Sequence, residues 1–222
     1  MCVIATHPAG KPLTATHLKR MALANPDGGG FAYTNEGKVV IAKGFMEYAP
    51  FEAAYMAATA AHKDTPFVVH FRIRTHGALD AERTHPFAIG SLPEGQRPAL
   101  AHNGYIPCVG EHAVMSDTQL LVESFPLLFE RKEALIKAVA NGLATHLGNS
   151  KLAVLYADGE ILYVNKERGC DDDQGRWYSN TSWDYRSYTD RDDQEGALVP
   201  RNNDYGHIPY ASGYKFYGRG GY

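Results

Sequence analysis

Cys2 stands second in the chain, directly after Met1. Once Met1 is removed, one residue carries both a thiol and a free α-amine, whose reference pKa of about 8 suits it to accept a proton near neutral pH. The amine can take the thiol proton directly or through water and later return it to a departing ammonia. No separate histidine base is then required. The plainer reading is a core cysteine opening a strand, a common place for that residue type.

Three further segments carry groups that an acyl transfer needs. In Val68-Val69-His70-Phe71-Arg72-Ile73-Arg74, alternation predicts that His70, Arg72 and Arg74 share the strand face opposite Val69, Phe71 and Ile73 if the strand continues that far. Arg72 in a pocket can clamp a carboxylate through two parallel hydrogen bonds; on a sheet edge it is a surface charge. Leu100-Ala101-His102-Asn103-Gly104 is an apolar strand ending in Asn-Gly. The Asn103 amide and the Gly104 N–H can both point at one oxyanion, or the pair can simply turn a hairpin. In Ser116-Asp117-Thr118-Gln119, Ser116 or Asp117 can cap the helix that follows, or Asp117 can receive a substrate ammonium.

These groups must be positioned by regular elements. Cys2 to Thr6 reads as a short strand and Thr14 to Ala24 as a helix with Leu18, Met21 and Ala22 on its apolar face. A turn follows over Asn25-Pro26-Asp27-Gly28-Gly29-Gly30, then strands at Phe31 to Thr34 and Val39 to Ile41 joined by a hairpin. Phe51 to Ala61 predicts a helix; Phe67 to Phe71, Phe87 to Ile89 and Ala99 to His102 predict strands. Between Asp117 and His146 the pattern turns helical and predicts two helices, broken by Pro126 and Gly142. Lys151 to Tyr156 and Glu160 to Asn165 flank Asp158-Gly159 as the clearest hairpin. Strands and helices in this order predict an α+β chain of two antiparallel sheets with helical cover.

From Lys166 onward, Leu198, Val199 and Ile208 are the only branched aliphatic residues, against eight tyrosines and eight glycines. Trp177-Tyr178-Ser179 still fits a closing strand. A domain over residues 2–185 is therefore expected, followed at 186–222 by a Gly/Tyr/Asp-rich tail that is solvated or docks a partner through its aromatics.

Composition narrows the function classes. The 222 residues suit one catalytic domain with an extension, and a formal net charge of -3 supplies no global attraction to nucleic acid or acidic lipid. Cys2, Cys108 and Cys170 form no CxxC pair, so neither a thiolate metal knuckle nor a disulfide framework is expected. No apolar run approaches the ~18 residues of a membrane span, and a free reactive thiol suits a reducing cytoplasm. Neither a cofactor nor a metal is expected; His7, His70, His76, His85 and His102 match no specific ligand spacing.

Together the segments resemble the class II glutamine amidotransferases of the N-terminal-nucleophile hydrolase superfamily. The resemblance rests on Met1-Cys2, Asn25-Pro-Asp-Gly-Gly-Gly-Phe-Ala, His70-Phe-Arg-Ile-Arg-Thr-His-Gly77, His85-Pro-Phe87, His102-Asn-Gly-Tyr-Ile106 and Ser116-Asp-Thr-Gln119, and extends over roughly residues 2 to 180. It implies a four-layer αββα sandwich and hydrolysis of L-glutamine to glutamate and ammonia through a γ-glutamyl thioester. It implies Cys2 as nucleophile, Asn103 and Gly104 as the oxyanion hole, Arg72 at the glutamine carboxylate and Asp117 at its ammonium. Thr75, His76 and Gly77 would line the pocket. The chain departs from the family pattern at Gln119, where glutamate is common, at Arg74, and in the glycine-rich run 28–30.

Many members of that family carry an acceptor domain after the amidotransferase domain, and no nucleotide loop or second core is legible here. A separate ammonia-accepting synthase is therefore the expected partner. The rival readings are an amide hydrolase of the same superfamily acting on another acyl amide or a peptide, and a catalytically inactive binding or regulatory module on the same fold. The pairing of Arg72 with Asp117 favours free glutamine.

Overall fold

The computed structural model describes residues 2–74, 78–106 and 115–184. Thr75, His76, Gly77, Cys108 and the expected tail 186–222 lie outside them. Among the described residues the chain builds ten strands and six α-helices in two sheets. The first sheet contains β1 (Val3–His7), β2 (Gly29–Asn35), β3 (Lys38–Phe45), β4 (Phe67–Phe71), β9 (Cys170–Asp171) and β10 (Trp177–Tyr178), ordered β3-β2-β4-β1-β10-β9. The second contains β5 (Phe87–Ala88), β6 (Ala99–Asn103), β7 (Lys151–Leu155) and β8 (Ile161–Val164), in that order across the sheet. Every pairing is antiparallel.

The two sheets face each other, and small side chains let them approach. Ala32, Ala99, Ala101 and Ala153 pack with Ile4, Val68, Leu155 and Trp177 between them. On the outer face of the first sheet, α1 (Ala15–Ala24) and α2 (Tyr48–Ala61) bury Leu18, Met21, Phe51 and Tyr55 against Phe31, Phe67, Val69 and Phe71. The outer face of the second is covered by α3 (Asp117–Ser124), α4 (Pro126–Glu130), α5 (Lys132–Ala140) and α6 (Leu143–His146), whose Leu121, Phe129 and Leu135 meet Leu100, Leu152 and Val154. Each sheet is thus apolar on both faces. This explains why the strands read as continuous apolar runs more than as alternating ones.

Local chemistry sets most boundaries. The Thr14 side chain caps α1 by accepting from the His17 N–H at 3.1 Å. Glu36 and Gly37, both at positive φ, turn β2 into β3 in two residues. Pro126 opens α4, where its missing N–H costs nothing, and Gly142 in the left-handed region separates α5 from α6. Two helices were expected here and four are found, because the chain also leaves helical geometry at Arg131. Strand β9 and the short 3-10 turns at 81–83 and 166–168 had no sequence signal.

The strand carrying His70 is shorter than the alternation through Arg74 requires. Strand β4 ends at Phe71, and the alternation does not continue through Ile73 and Arg74. All five β4 residues are buried, since one face meets the helices and the other meets the second sheet. Arg72 sits beyond the end of a central strand, buried at 3 % exposure, while Arg74 is exposed. The edge-charge reading of Arg72 is thereby removed.

Candidate active site

Antiparallel pairing gathers the chemically interesting segments at one edge of the first sheet. The starts of β1 and β2 lie beside the ends of β4 and β10, because β4 pairs with both β1 and β2 and β10 pairs with β1. Cys2 immediately precedes β1. Its Sγ lies 3.4 Å from the Ile73 carbonyl, to which the thiol donates, and 3.4 Å from the Ile73 N–H, which donates back. Burial pushes the thiol pKa up, against the downward pull of the Ile73 hydrogen bond and of the nearby Arg72 guanidinium. An unassisted thiolate is therefore scarce near neutrality, and a proton acceptor at this position has work to do.

Arg72 is held from both ends. Its N–H donates to the Gly28 carbonyl at 2.8 Å, its own carbonyl accepts from Asp27 N–H at 2.9 Å, and Nη1 donates to the Ala78 carbonyl at 3.0 Å. Asp27 also accepts from the Arg74 N–H at 2.7 Å. The turn between α1 and β2 thus clamps the backbone that carries the arginine and the thiol's partner. This accounts for the glycine run 28–30: a Cβ on Gly30 would lie 2.3 Å from the His85 carbonyl and 2.8 Å from that of Ala42. Those contacts leave room for no side chain.

Asn103 and Gly104 end β6 on the second sheet. Asn103 is 1 % exposed, with its amide 2.8 Å from Ser179 Oγ. Gly104 has φ +147°, and a Cβ there would fall 2.4 Å from Ser150 Oγ. Ser150 in turn donates to the Tyr105 carbonyl at 2.7 Å, fixing the chain just past the glycine. A rigid Asn-Gly corner results, and the hairpin alternative is excluded because β6 continues toward α3 and pairs with β5 and β7.

At the start of α3 the cap and the acid have separate tasks. Ser116 Oγ accepts from Gln119 N–H at 3.2 Å, and Gln119 Oε1 accepts from Ser116 N–H at 2.9 Å. This is a reciprocal capping box. Only a side-chain carbonyl oxygen is needed at position 119, so glutamine serves there as well as glutamate. Asp117 is left free of capping. One oxygen accepts from Ile106 N–H at 2.9 Å and the other from Thr118 N–H at 2.8 Å, tying the segment after Gly104 to the helix.

Between the sheets lie three buried imidazoles. The His70 Nε2–H donates to the His102 carbonyl at 3.0 Å, while His85 Nε2 and His102 Nδ1 lie 3.1 and 2.8 Å from Thr118 Oγ1. Burial lowers all three: His70 to about 3, His85 well below its ordinary range, and His102 to about 4 although Asp117 opposes the shift. They are neutral, structural links between β4, β6 and α3. Among the described residues no group of three or more His, Cys, Asp or Glu side chains is arranged to hold a metal ion.

Two site residues had no sequence signal beyond their place in a closing strand. Ser179 is fully buried and accepts the Ile4 N–H at 2.9 Å, and Asn180 Nδ2 donates to the Cys2 carbonyl at 2.8 Å. The exit from β10 thus touches both the strand of the thiol and the Asn-Gly corner. Thr75, His76 and Gly77, expected to line a substrate pocket, lie outside the described residues.

No protein-family model and no curated protein sequence matches the chain. Among solved structures, the chain is similar to the glutamine phosphoribosylpyrophosphate (PRPP) amidotransferase from B. subtilis complexed with ADP and GMP, with a TM-score of 0.55 and 17% sequence identity. The match covers 82% of this chain and 42% of that one, so this chain spans less than half the length of that enzyme. At this identity the likeness is one of fold.

Proposed function

We propose that the chain is an N-terminal-nucleophile amide hydrolase whose substrate is L-glutamine, the glutaminase half of an amidotransferase. The observation that carries the reading is the seating of the Cys2 thiol on the Ile73 backbone, one residue from the buried Arg72 guanidinium. Removal of Met1 would place the α-amine on the same residue as the thiol. The amine takes the thiol proton, and sulfur attacks the glutamine carboxamide carbon. The tetrahedral oxyanion is met by Asn103 and by the Gly104 N–H. As the C–N bond breaks, the amine's proton leaves with ammonia, giving a γ-glutamyl thioester that water then hydrolyses to glutamate.

Arg72 would hold the substrate carboxylate and Asp117 its ammonium, with Thr75, His76 and Gly77 along the pocket. Such a pair selects a free amino acid over an acyl amide that lacks both charges. The ammonia would pass to a separate synthase. The reactive thiol suits a reducing compartment such as the cytoplasm.

Intact-mass measurement of the full chain, before and after a glutamine-analogue electrophile, tests the reading. Loss of Met1 and one covalently added inhibitor-derived group on wild type, with no label on Cys2→Ala, is the expected result. Quantitative retention of Met1 on protein that turns over glutamine would end the amine-assisted mechanism.

A second substrate class has one observation in its favour. A cavity of about 230 Å³ borders Gly28, Gly29 and Phe71, next to the clamp on Arg72, with Leu23, Phe45, Met46 and Phe51 in its walls. An acyl amide with an apolar tail would fit such a lining. Turnover of medium-chain acyl amides faster than of glutamine would favour it.

A further inference from the structure

Ser179 stands between the two sheets and faces a hydrogen-bonding contradiction. Its Oγ accepts the Ile4 N–H at 2.9 Å and lies 2.8 Å from the Asn103 amide, and both Ser179 and Asn103 are buried. If Asn103 turns its NH2 toward Ser179, two N–H donors converge on one hydroxyl. The hydroxyl proton then lacks an acceptor, and Asn103 Oδ1, also buried, has no partner. Two polar groups are orphaned at once.

Rotating the amide by half a turn gives the hydroxyl proton an acceptor and exchanges the unpartnered oxygen for an unpartnered donor. The nitrogen and oxygen of an asparagine amide have the same shape, so the network decides which is which. With Oδ1 toward Ser179, the hydroxyl donates to it while still accepting from Ile4. The NH2 group then occupies the position where Oδ1 was unpartnered. Only this orientation offers donors to an oxyanion; the other presents lone pairs and would repel one.

We propose that Ser179 is a positioning residue that sets which end of the Asn103 amide is left free for the oxyanion. The proposal rests on the glutaminase reading of the site. The backbone of Ser179 reinforces the arrangement, since its N–H donates to the Ile4 carbonyl at 2.9 Å. Its neighbour Asn180 holds the Cys2 carbonyl at 2.8 Å. Two consecutive residues thus relate the thiol's strand to the oxyanion donor on the opposite sheet.

The test is a double-mutant cycle on the full chain, read as kcat and KM separately, with thermal unfolding to confirm that each variant is folded. Ser179→Ala is expected to lower kcat about 10- to 100-fold with KM for glutamine nearly unchanged, against about 100- to 1000-fold for Asn103→Ala. Adding Ser179→Ala to Asn103→Ala should cost nothing more, because the serine acts through the asparagine. Asn103→Asp keeps an acceptor for the hydroxyl, and should fold while losing turnover as fully as Asn103→Ala. A merely structural serine would give independent, multiplicative losses, and that result overturns the proposal, as does a kcat within twofold for Ser179→Ala. A neutron structure of the wild-type chain reads the orientation without activity: two deuterons bonded to the Asn103 atom away from Ser179 support the proposal, and two deuterons bonded to the Asn103 atom facing Ser179 overturn it. Failure of the wild type to hydrolyse glutamine would defeat the glutaminase reading, a result distinguishable from a wrong amide orientation.

Discussion

Ile73 holds the Cys2 thiol with both of its backbone polar groups, its N–H donating to Sγ and its carbonyl accepting from it, each at 3.4 Å. A neutral thiol satisfies both contacts at once, as donor and acceptor. A thiolate keeps the first and loses the second, so part of the seat favours the protonated form.

Alkylation should report this. Burial raises the Cys2 pKa above its ordinary value of 9.0, so on chain retaining Met1 the iodoacetamide rate at Cys2 should still be climbing at pH 9. Arg72→Ala should move the profile further up, because the guanidinium favours the thiolate. A plateau reached by pH 7.5 on that form would contradict the desolvated seat.

Arg72→Ala tests substrate charge. Loss of a buried bidentate partner for a carboxylate predicts a KM for glutamine raised by about 10- to 100-fold with kcat less affected. Turnover of an acyl amide lacking the α-carboxylate should scarcely change. Equal losses on both substrates would assign Arg72 to holding the Ala78 segment.

Gly104→Ala tests the corner. A Cβ would meet Ser150 Oγ at 2.4 Å on a backbone at φ +147°, and the expected cost is about 2 kcal/mol or more. Chemical denaturation of wild type and variant measures it. Pairing with Ser150→Gly should recover part of the loss, and no recovery would place the cost in the backbone alone.

The buried imidazoles predict acid sensitivity with a definite sign. Burial holds His70 and His102 at folded pKa values of about 3 and about 4, below the ordinary histidine value of 6.5. The unfolded chain therefore binds more protons between those limits, and stability present above about pH 6.5 is lost as pH falls toward 4. Each such histidine contributes up to about 1.4 kcal/mol per pH unit in that window. Urea midpoints at pH 7 and pH 5 check it; equal midpoints would mean that the cluster takes up protons in the folded state.

Much of the architecture was legible in the chain because its signals are local. The helix before Asn25, the hairpin joining β2 to β3 and the apolar runs of β1, β4, β6 and β7 follow from side-chain chemistry within a few residues. The order of Cys2, Arg72, Asn103 and Asp117 along the chain was likewise enough to suggest an acyl-transfer site before any geometry. What reading alone left open was the face and neighbour of each group. Alternation placed Arg72 by period, but β4 is covered on both sides and ends at Phe71, so burial was decided by the second sheet. Asp117 had two available roles until the Ser116–Gln119 box took the capping one.

Ser179 shows the limit most clearly. It lies 76 residues from Asn103 and 175 from Ile4 in the chain, and nothing in Trp-Tyr-Ser-Asn marks a serine that joins them. Side-chain type and short-range spacing disclose which groups can do chemistry. Which of them meet depends on long-range antiparallel register, and register is a property of the packed sheets.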